Sequence, residues 1–181
     1  MRRVIAYEYL TLDGVMEAPE KWQFPYFSAD VAELVKVQIL EADALLLGRT
    51  TYEIFADSWP SRTNNEFAVA DKLNSMPKYV VSRSLQKAEW HNSTVIKADV
   101  AKEVAGLKEQ PGAIIAIIGS GKLVGALLQH ALIDEYRLMI HPVVLGSGQR
   151  LFPDGTHAAL RLIETRTLSS GVVLLRYEPA A

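Results

Sequence analysis

Apolar residues in this chain switch between two periods, and the switches mark its elements. Residues 4–10 form a short apolar run that reads as a first strand, and Thr11-Leu12-Asp13-Gly14 then has turn chemistry. Residues 15–27 follow as a long loop rich in proline and aromatics, a length that usually goes with function. Ser28 and Asp30 open a helix whose Val31, Leu34, Val35 and Ile39 share one face, ending near Ala42. Residues 44–47 read as a buried strand that runs into Gly48-Arg49-Thr50-Thr51-Tyr52, where a second helix begins. Helix is predicted over 64–73, strand over 78–82, a weaker strand over 94–97, and a helix capped by Asp99 that continues to about Leu107. Residues 113–118 are apolar, rich in β-branched side chains and bounded by glycine, which favours a strand buried on both faces. From Leu123, the residues Val124, Leu127, Leu128, Ala131 and Leu132 recur at helical spacing, so a helix starts at the preceding glycines. Beyond Leu132 the pattern changes. Residues 135–140, 160–168 and 172–177 read as strands with no helix between them, the last two joined at Ser169-Ser170-Gly171.

Strand and helix alternating as far as Leu132 predict an α/β fold with a mostly parallel central sheet and helices on both faces, finished by antiparallel strands. A chain of 181 residues with no repeat and no linker reads as a single domain over 1–181, long enough to bury roughly 70% of its unfolded surface. The chain has no cysteine, which excludes disulfides, thiol catalysis and cysteine-ligated metals. His91, His130, His141 and His157 lack metal-ligand spacing, so no metal site is expected. Net charge is −2, with lysine and arginine scattered, so no nucleic-acid partner is expected. The N-terminus meets Glu8 too early for a signal peptide and no apolar run reaches membrane-spanning length. The expectation is a cytoplasmic protein that acts on a small molecule and contacts no membrane.

Gly119-Ser120-Gly121 ends a strand and opens a helix, which sets backbone N–H groups and the positive end of a helix dipole at a turn without side-chain bulk. Lys122 adds a positive charge. The turn departs from a P-loop at Ala116 and Leu123, and from a Rossmann fingerprint because Gly125 falls one residue late. Taken alone, a packing turn explains it equally well. Two more strand ends have comparable chemistry, Gly48-Arg49-Thr50-Thr51 and Ser82-Arg83-Ser84, and open α/β sheets bind ligands at such ends.

The ordered set of these pieces resembles dihydrofolate reductase, and more closely the branch that includes the C-terminal reductase domain of the bifunctional riboflavin-biosynthesis protein, the RibD C-terminal family. The matching pieces are Leu12-Asp13-Gly14, Asp43 through Arg49 with Thr51-Tyr52-Glu53, residues 78–82, and Gly119 through Leu123 followed by Leu132-Ile133-Asp134-Glu135, with the run 141–148 completing them. The resemblance implies a dihydrofolate reductase-like three-layer fold and NADPH as cofactor. It implies phosphate binding by Gly48, Arg49, Thr50 and Thr51, and pyrophosphate binding by Gly119, Ser120, Gly121, Lys122 and Leu123. Ser82, Arg83 and Ser84 would meet the adenosine 2′-phosphate. Ala6, Leu12, Asp13 and Gly14 would border the nicotinamide, with the following loop as a lid. The implied activity is hydride transfer to a small, heterocyclic or carbonyl substrate, similar to that of 5-amino-6-(5-phosphoribosylamino)uracil reductase or dihydrofolate reductase.

The chain departs from both at the substrate end. Where dihydrofolate reductases carry a helical carboxylate after the lid, this chain has Tyr26-Phe27-Ser28, with Asp30 nearby; where the riboflavin-pathway reductases have an acidic residue before their second glycine turn, it has Ile118. Trp22, Phe24, Tyr52 and Trp59 are candidates to sandwich a flat ring, or else core residues. Asp13, Asp30 and Glu8 are candidates for proton work, although Asp before Gly more commonly fixes its own turn. Glu8, on a strand, is expected to alternate outward. A homodimer is expected, with Leu162, Val172 and Leu174 of the C-terminal hairpin in the interface. The alternative to an enzyme is a non-catalytic NADP-binding or ligand-sensing homo-oligomer of the same fold.

Overall fold

Both faces of the central strands are covered, which is why their sequences read as continuous apolar runs rather than alternating ones. A computed structural model describes residues 1–63 and 69–180; the first half of the helix expected over 64–73 lies outside the described residues. Eight strands form one sheet in the order β4-β3-β2-β5-β1-β6-β8-β7. They are β1 (Arg3–Thr11), β2 (Ala44–Gly48), β3 (Lys78–Val81), β4 (Ser93–Ile96), β5 (Ile114–Ile117), β6 (Glu135–His141), β7 (Leu160–Thr167) and β8 (Val173–Pro179). Every pair from β4 through β6 is parallel, while β8 runs antiparallel to β6 and β7 antiparallel to β8. The α/β class, the mostly parallel sheet and the antiparallel finish are therefore as the residue pattern predicts.

The helices are α1 (Ala29–Glu41), α2 (Arg49–Ser58), α3 (Ala70–Ser75), α4 (Val100–Glu109) and α5 (Gly121–Gln129). On one face, Ile39 of α1, Tyr52 of α2 and Leu73 of α3 pack on Ile5, Leu45, Leu47 and Val80. On the other, Val104 and Leu107 of α4 and Val124 and Leu127 of α5 pack on Val4, Leu46, Ile115 and Ile117. All five residues of β2 are consequently buried. Each such Leu or Ile contributes about 1.5–3 kcal/mol of transfer free energy, so the paired clusters are the main favourable term holding the three layers together.

Three details depart from the sequence expectation. The last helix stops before Leu132 because Ala131 takes a left-handed conformation (φ 52°); Leu132 N then donates to Leu127 O at 3.1 Å and Ala131 N to Leu128 O at 3.1 Å, closing the helix in a Schellman arrangement. The loop over 15–27 carries two short 3-10 turns, Pro19–Lys21 and Phe24–Tyr26. In the C-terminal hairpin, Val172 and Leu174 are core residues packed with Val31, Met139 and Leu168, and of the three expected interface residues only Leu162 is exposed. Among the described residues, no helix is long and apolar enough to cross a membrane.

Candidate functional site

Strand register decides what the glycine turns can do together. Leu46 of β2 lies opposite Ile117 of β5, and Gly48 opposite Val81 of β3, so the three strands end side by side. Gly119, Arg49 and Ser82 follow within two residues of these strand ends, at the carboxyl end of the sheet. Gly48 N donates to Gly119 O at 3.2 Å. A Cβ at Gly48 would stand 2.4 Å from Ser120 Oγ and 3.2 Å from Ser120 N, and one at Gly119, where φ is +61°, would stand 2.7 Å from Thr51 Oγ1. The N-termini of α2 and α5 are thus drawn together at a distance only glycine permits, with the peptide between Gly119 and Ser120 in the cis form. Leu123 N of α5 is taken by Ser120 O at 3.0 Å, while the amides that open each helix before it lie beyond the reach of the i−4 ladder, a setting suited to an anion.

Cationic and hydroxyl groups flank this edge. Arg49 Nη1 donates to Ser84 Oγ at 2.7 Å, and its Nε pairs with Glu53 at 2.7 Å. Arg83, Ser84, Thr50 and Lys122 are exposed, whereas Ser82 is buried and accepts from Leu85 N at 3.0 Å. Leu123 packs in the core behind the turn.

An apolar cavity of about 350 Å³ opens beside the paired turns. Tyr7, Glu8 and Tyr9 of β1 with Ile118 and Gly119 line its floor. Val35, Gln38 and Ile39 come from α1, Thr51, Ile54 and Phe55 from α2, and Met16, Gln23 and Phe27 from the loop that follows β1. Trp59 closes one end. Shallower depressions of about 620 and 530 Å³ around Trp90 and His91 lie away from the glycine turns.

The other residues singled out from the sequence take different places. Ala6 is fully buried between the sheet and α5, so its methyl is core. Leu12 and Gly14 belong to the turn after β1, where Leu12 N donates to Val143 O at 2.8 Å and Gly14 N to Thr11 O at 3.0 Å. Asp13 accepts from Thr11 Oγ1 at 2.6 Å and from Gly146 N at 2.8 Å and Leu145 N at 3.2 Å, tying that turn to the loop after β6. Those donors hold its carboxyl down at about 2, which favours the ionised form at neutral pH. Asp30 is likewise held well below the usual range by Ser28 and by the amide and hydroxyl of Ser169, at 2.7 and 2.8 Å, and anchors α1 to the hairpin turn. Neither aspartate lines the cavity.

Of the four aromatic candidates, only Trp59 faces the cavity. Tyr52 is core and its hydroxyl accepts from Trp90 N at 3.0 Å. Trp22 is buried edge-on against His141, with ring centroids 5.0 Å apart, and donates from Nε1 to Glu17 O at 2.9 Å, which fastens the loop. Phe24 points to solvent.

Glu8 reverses the expectation made for it. It is 4% exposed, because β1 is a central strand with helices over both faces and neither alternation leads outward. Its Oε1 accepts from Gly119 N at 3.1 Å, and burial raises the carboxyl to about 8 although that N–H opposes the shift. Sequence reasoning weighed Glu8 for proton work but passed over Gln38, whose buried Nε2 has no hydrogen-bond partner among the described residues. The available signals were an acid inside the apolar run 4–10 and a glutamine on the buried side of α1.

Comparisons with known proteins agree with this geometry. A family model described as the RibD C-terminal domain matches residues 2–174. Uncharacterized protein YyaP of Bacillus subtilis (strain 168) is 32% identical over 179 residues, 97% of this chain and 94% of that protein. Among solved structures, a putative riboflavin biosynthesis protein from Shewanella sp. PV-4 superposes with a TM-score of 0.78 at 19% identity, covering 99% of both chains. Dihydrofolate reductase from Enterococcus faecalis, solved in complex with NADP(H), gives 0.67 at 16% identity, covering 99% of this chain and 97% of that one. At these identities the structural likeness establishes the fold, which is dihydrofolate reductase-like.

Proposed function

The chain belongs to the RibD C-terminal domain family, and from that premise we propose that it is an NADPH-dependent reductase of a small substrate. The observation that carries this reading is the pair of abutting helix N-termini, closed by the bond from Gly48 N to Gly119 O at 3.2 Å, beside an apolar cavity of about 350 Å³. The residues fit the cofactor. A Cβ at Gly48 or Gly119 would meet Ser120 or Thr51, so glycine is what lets the two helix N-termini abut, and their opening amides, with Lys122, suit the pyrophosphate. Arg49, Arg83 and Ser84 offer guanidinium and hydroxyl donors for the 2′-phosphate, the feature by which NADPH differs from NADH.

When bound, the dinucleotide supplies a hydride for a carbonyl, imine or conjugated heterocycle. The chain's own part is orientation and exclusion of water. Tyr7, Ile118 and Phe55 make an apolar wall, and the loop pinned by Trp22 covers it through Met16, Gln23 and Phe27. Fluorescence titration of the two nucleotides, read from the tryptophans, tests the proposal, with Arg83→Ala in parallel. NADPH is expected to bind more tightly than NADH, and Arg83→Ala to lower NADPH affinity about tenfold, near 1.4 kcal/mol, with NADH unaffected. Binding of neither nucleotide would overturn the reading.

A further inference from the structure

We propose that Glu8 is the proton donor of this site and that its substrate is an uncharged, unphosphorylated carbonyl or imine. The inference rests on the reductase reading and names its missing acid and its substrate class. Glu8 stands where the two halves of the site meet. Its Oε1 is held by Gly119 N, on the turn assigned to the pyrophosphate, and Glu8 is among the residues that line the cavity. No other hydrogen bond to the carboxyl exists among the described residues, which leaves Oε2 to carry the proton. The titratable neighbours in the cavity lining are Tyr7 and Tyr9 on the same strand and Glu20 from the loop; the walls from β5, α1 and α2 bring none. With no cation facing it, a buried Glu8 keeps its proton to about pH 8. It is therefore an acid at neutral pH, as a proton donor must be.

The same absence of cations defines the substrate. Neither lysine nor arginine lines the cavity among the described residues, and residues 64–68, Asn-Asn-Glu-Phe-Ala, supply none in sequence. A phosphate ester would meet Glu8, Glu20 and an apolar wall, where burying its charge without a partner is strongly unfavourable. Gln38 adds a positive requirement. It lines the cavity, and its buried Nε2 has no partner among the described residues, so a substrate oxygen that reached it would satisfy an orphaned donor.

The step balances as follows. The substrate carbon gains the hydride, the π pair of its C=O or C=N moves to the heteroatom, and that atom takes the proton as the O–H bond of Glu8 breaks. The products are an alcohol or amine, NADP⁺ and a Glu8 carboxylate, which recovers its proton from solvent.

Three measurements on the full chain decide the matter. First, the ligand-free protein carrying 13C-carboxyl glutamate is titrated by NMR, and a resonance missing from Glu8→Gln should titrate near pH 8; titration in the ordinary carboxylate range overturns the proposal. Second, Glu8→Gln should bind NADPH within about threefold of wild type but lose at least about a hundredfold in turnover, the scale of general acid catalysis. Retained turnover overturns the donor role. Third, 2-cyclohexenone and 3,4-dihydroisoquinoline are compared with analogues bearing a phosphate ester. The uncharged acceptors should be reduced at least tenfold faster, and preference for the phosphorylated analogues, or no turnover of either uncharged one with NADPH bound, overturns the substrate class. Failure of wild type to bind NADPH at all is distinct, because it removes the reductase reading beneath the proposal.

Discussion

Two buried glutamates at opposite ends of the same strand pair have opposite fates. Glu8 lies towards the carboxyl end of β1, and Glu135, fully buried, begins the neighbouring β6. Burial alone would raise both carboxyls. At Glu135 that rise is more than reversed by Arg176 and Arg137, whose Nε atoms donate to Oε1 at 2.6 and 2.7 Å, while Arg3 reaches Oε2 at 2.9 Å; its carboxyl is held below the usual range. At Glu8 a single backbone N–H opposes burial and loses. The amino end of the sheet is therefore electrostatically closed, with Arg137 also pairing with Glu41, which accepts from the Tyr7 hydroxyl at 2.9 Å. The carboxyl end is left with a buried acid that no cation compensates among the described residues, beside the abutting N-termini of α2 and α5. Unmet electrostatic demand of that kind marks a place built for a ligand.

The contrast is broken most severely by Arg137→Met, which removes one of Glu135's cations and strands part of a buried carboxylate. Denaturant unfolding at pH 7 should show a loss of about 3–5 kcal/mol; a loss below about 1 kcal/mol would mean that the network contributes no more than a surface pair.

Next in size is the pH dependence of Glu8→Gln. Folded Glu8 keeps its proton to about pH 8, whereas unfolded glutamate releases it near 4.3. Between those values the folded state binds more protons than the unfolded state, so wild type loses stability as pH rises. Relative to Glu8→Gln it should lose about 3 kcal/mol from pH 5 to pH 8, seen as a melting temperature that falls by several degrees only in wild type. Glu135 has the reverse sign, since its contribution is present at neutral pH and is lost on acidification. A pH-independent difference between wild type and Glu8→Gln would erase the distinction between the two ends.

The smallest of these effects sharpens the comparison at the open end. Gly48 has φ −73°, so alanine brings no backbone strain there, but its Cβ would press on Ser120 Oγ and stand 3.0 Å from Ser120 Cβ and 3.2 Å from Ser120 N. Gly48→Ala should keep its far-ultraviolet circular dichroism and weaken NADPH about ten- to a hundredfold, equivalent to about 1.4–2.7 kcal/mol, in the fluorescence titration. Unchanged affinity would show that the two turns abut for packing alone.

The glycine turns and the acid were legible in different degrees. Gly48 and Gly119 to Gly121 announce strand-to-helix turns because no other residue combines that spacing with apolar flanks. That the two turns touch was not legible, since it requires β5, some seventy residues after β2, to insert between β2 and β1. Asp13 and Asp30 drew attention as acids beside a lid, yet their partners, Gly146 N and Ser169 N, are more than 130 residues away in the chain and hold both carboxyls ionised. The aromatic set failed similarly. Spacing shows that Tyr52 lies on a helix, but only packing against Trp90 shows that it faces the core.

By itself, the sequence determined the order and type of the elements, the parallel body with its antiparallel finish, and the chemistry of the strand ends, because periodicity and turn residues are local and each segment carries its own signal. Tertiary structure decided which strand ends are neighbours, which carboxylates are paired and which carboxylate is left protonated. Those outcomes depend on burial and on partners from distant segments, and a buried charge takes its state from whatever the fold sets beside it.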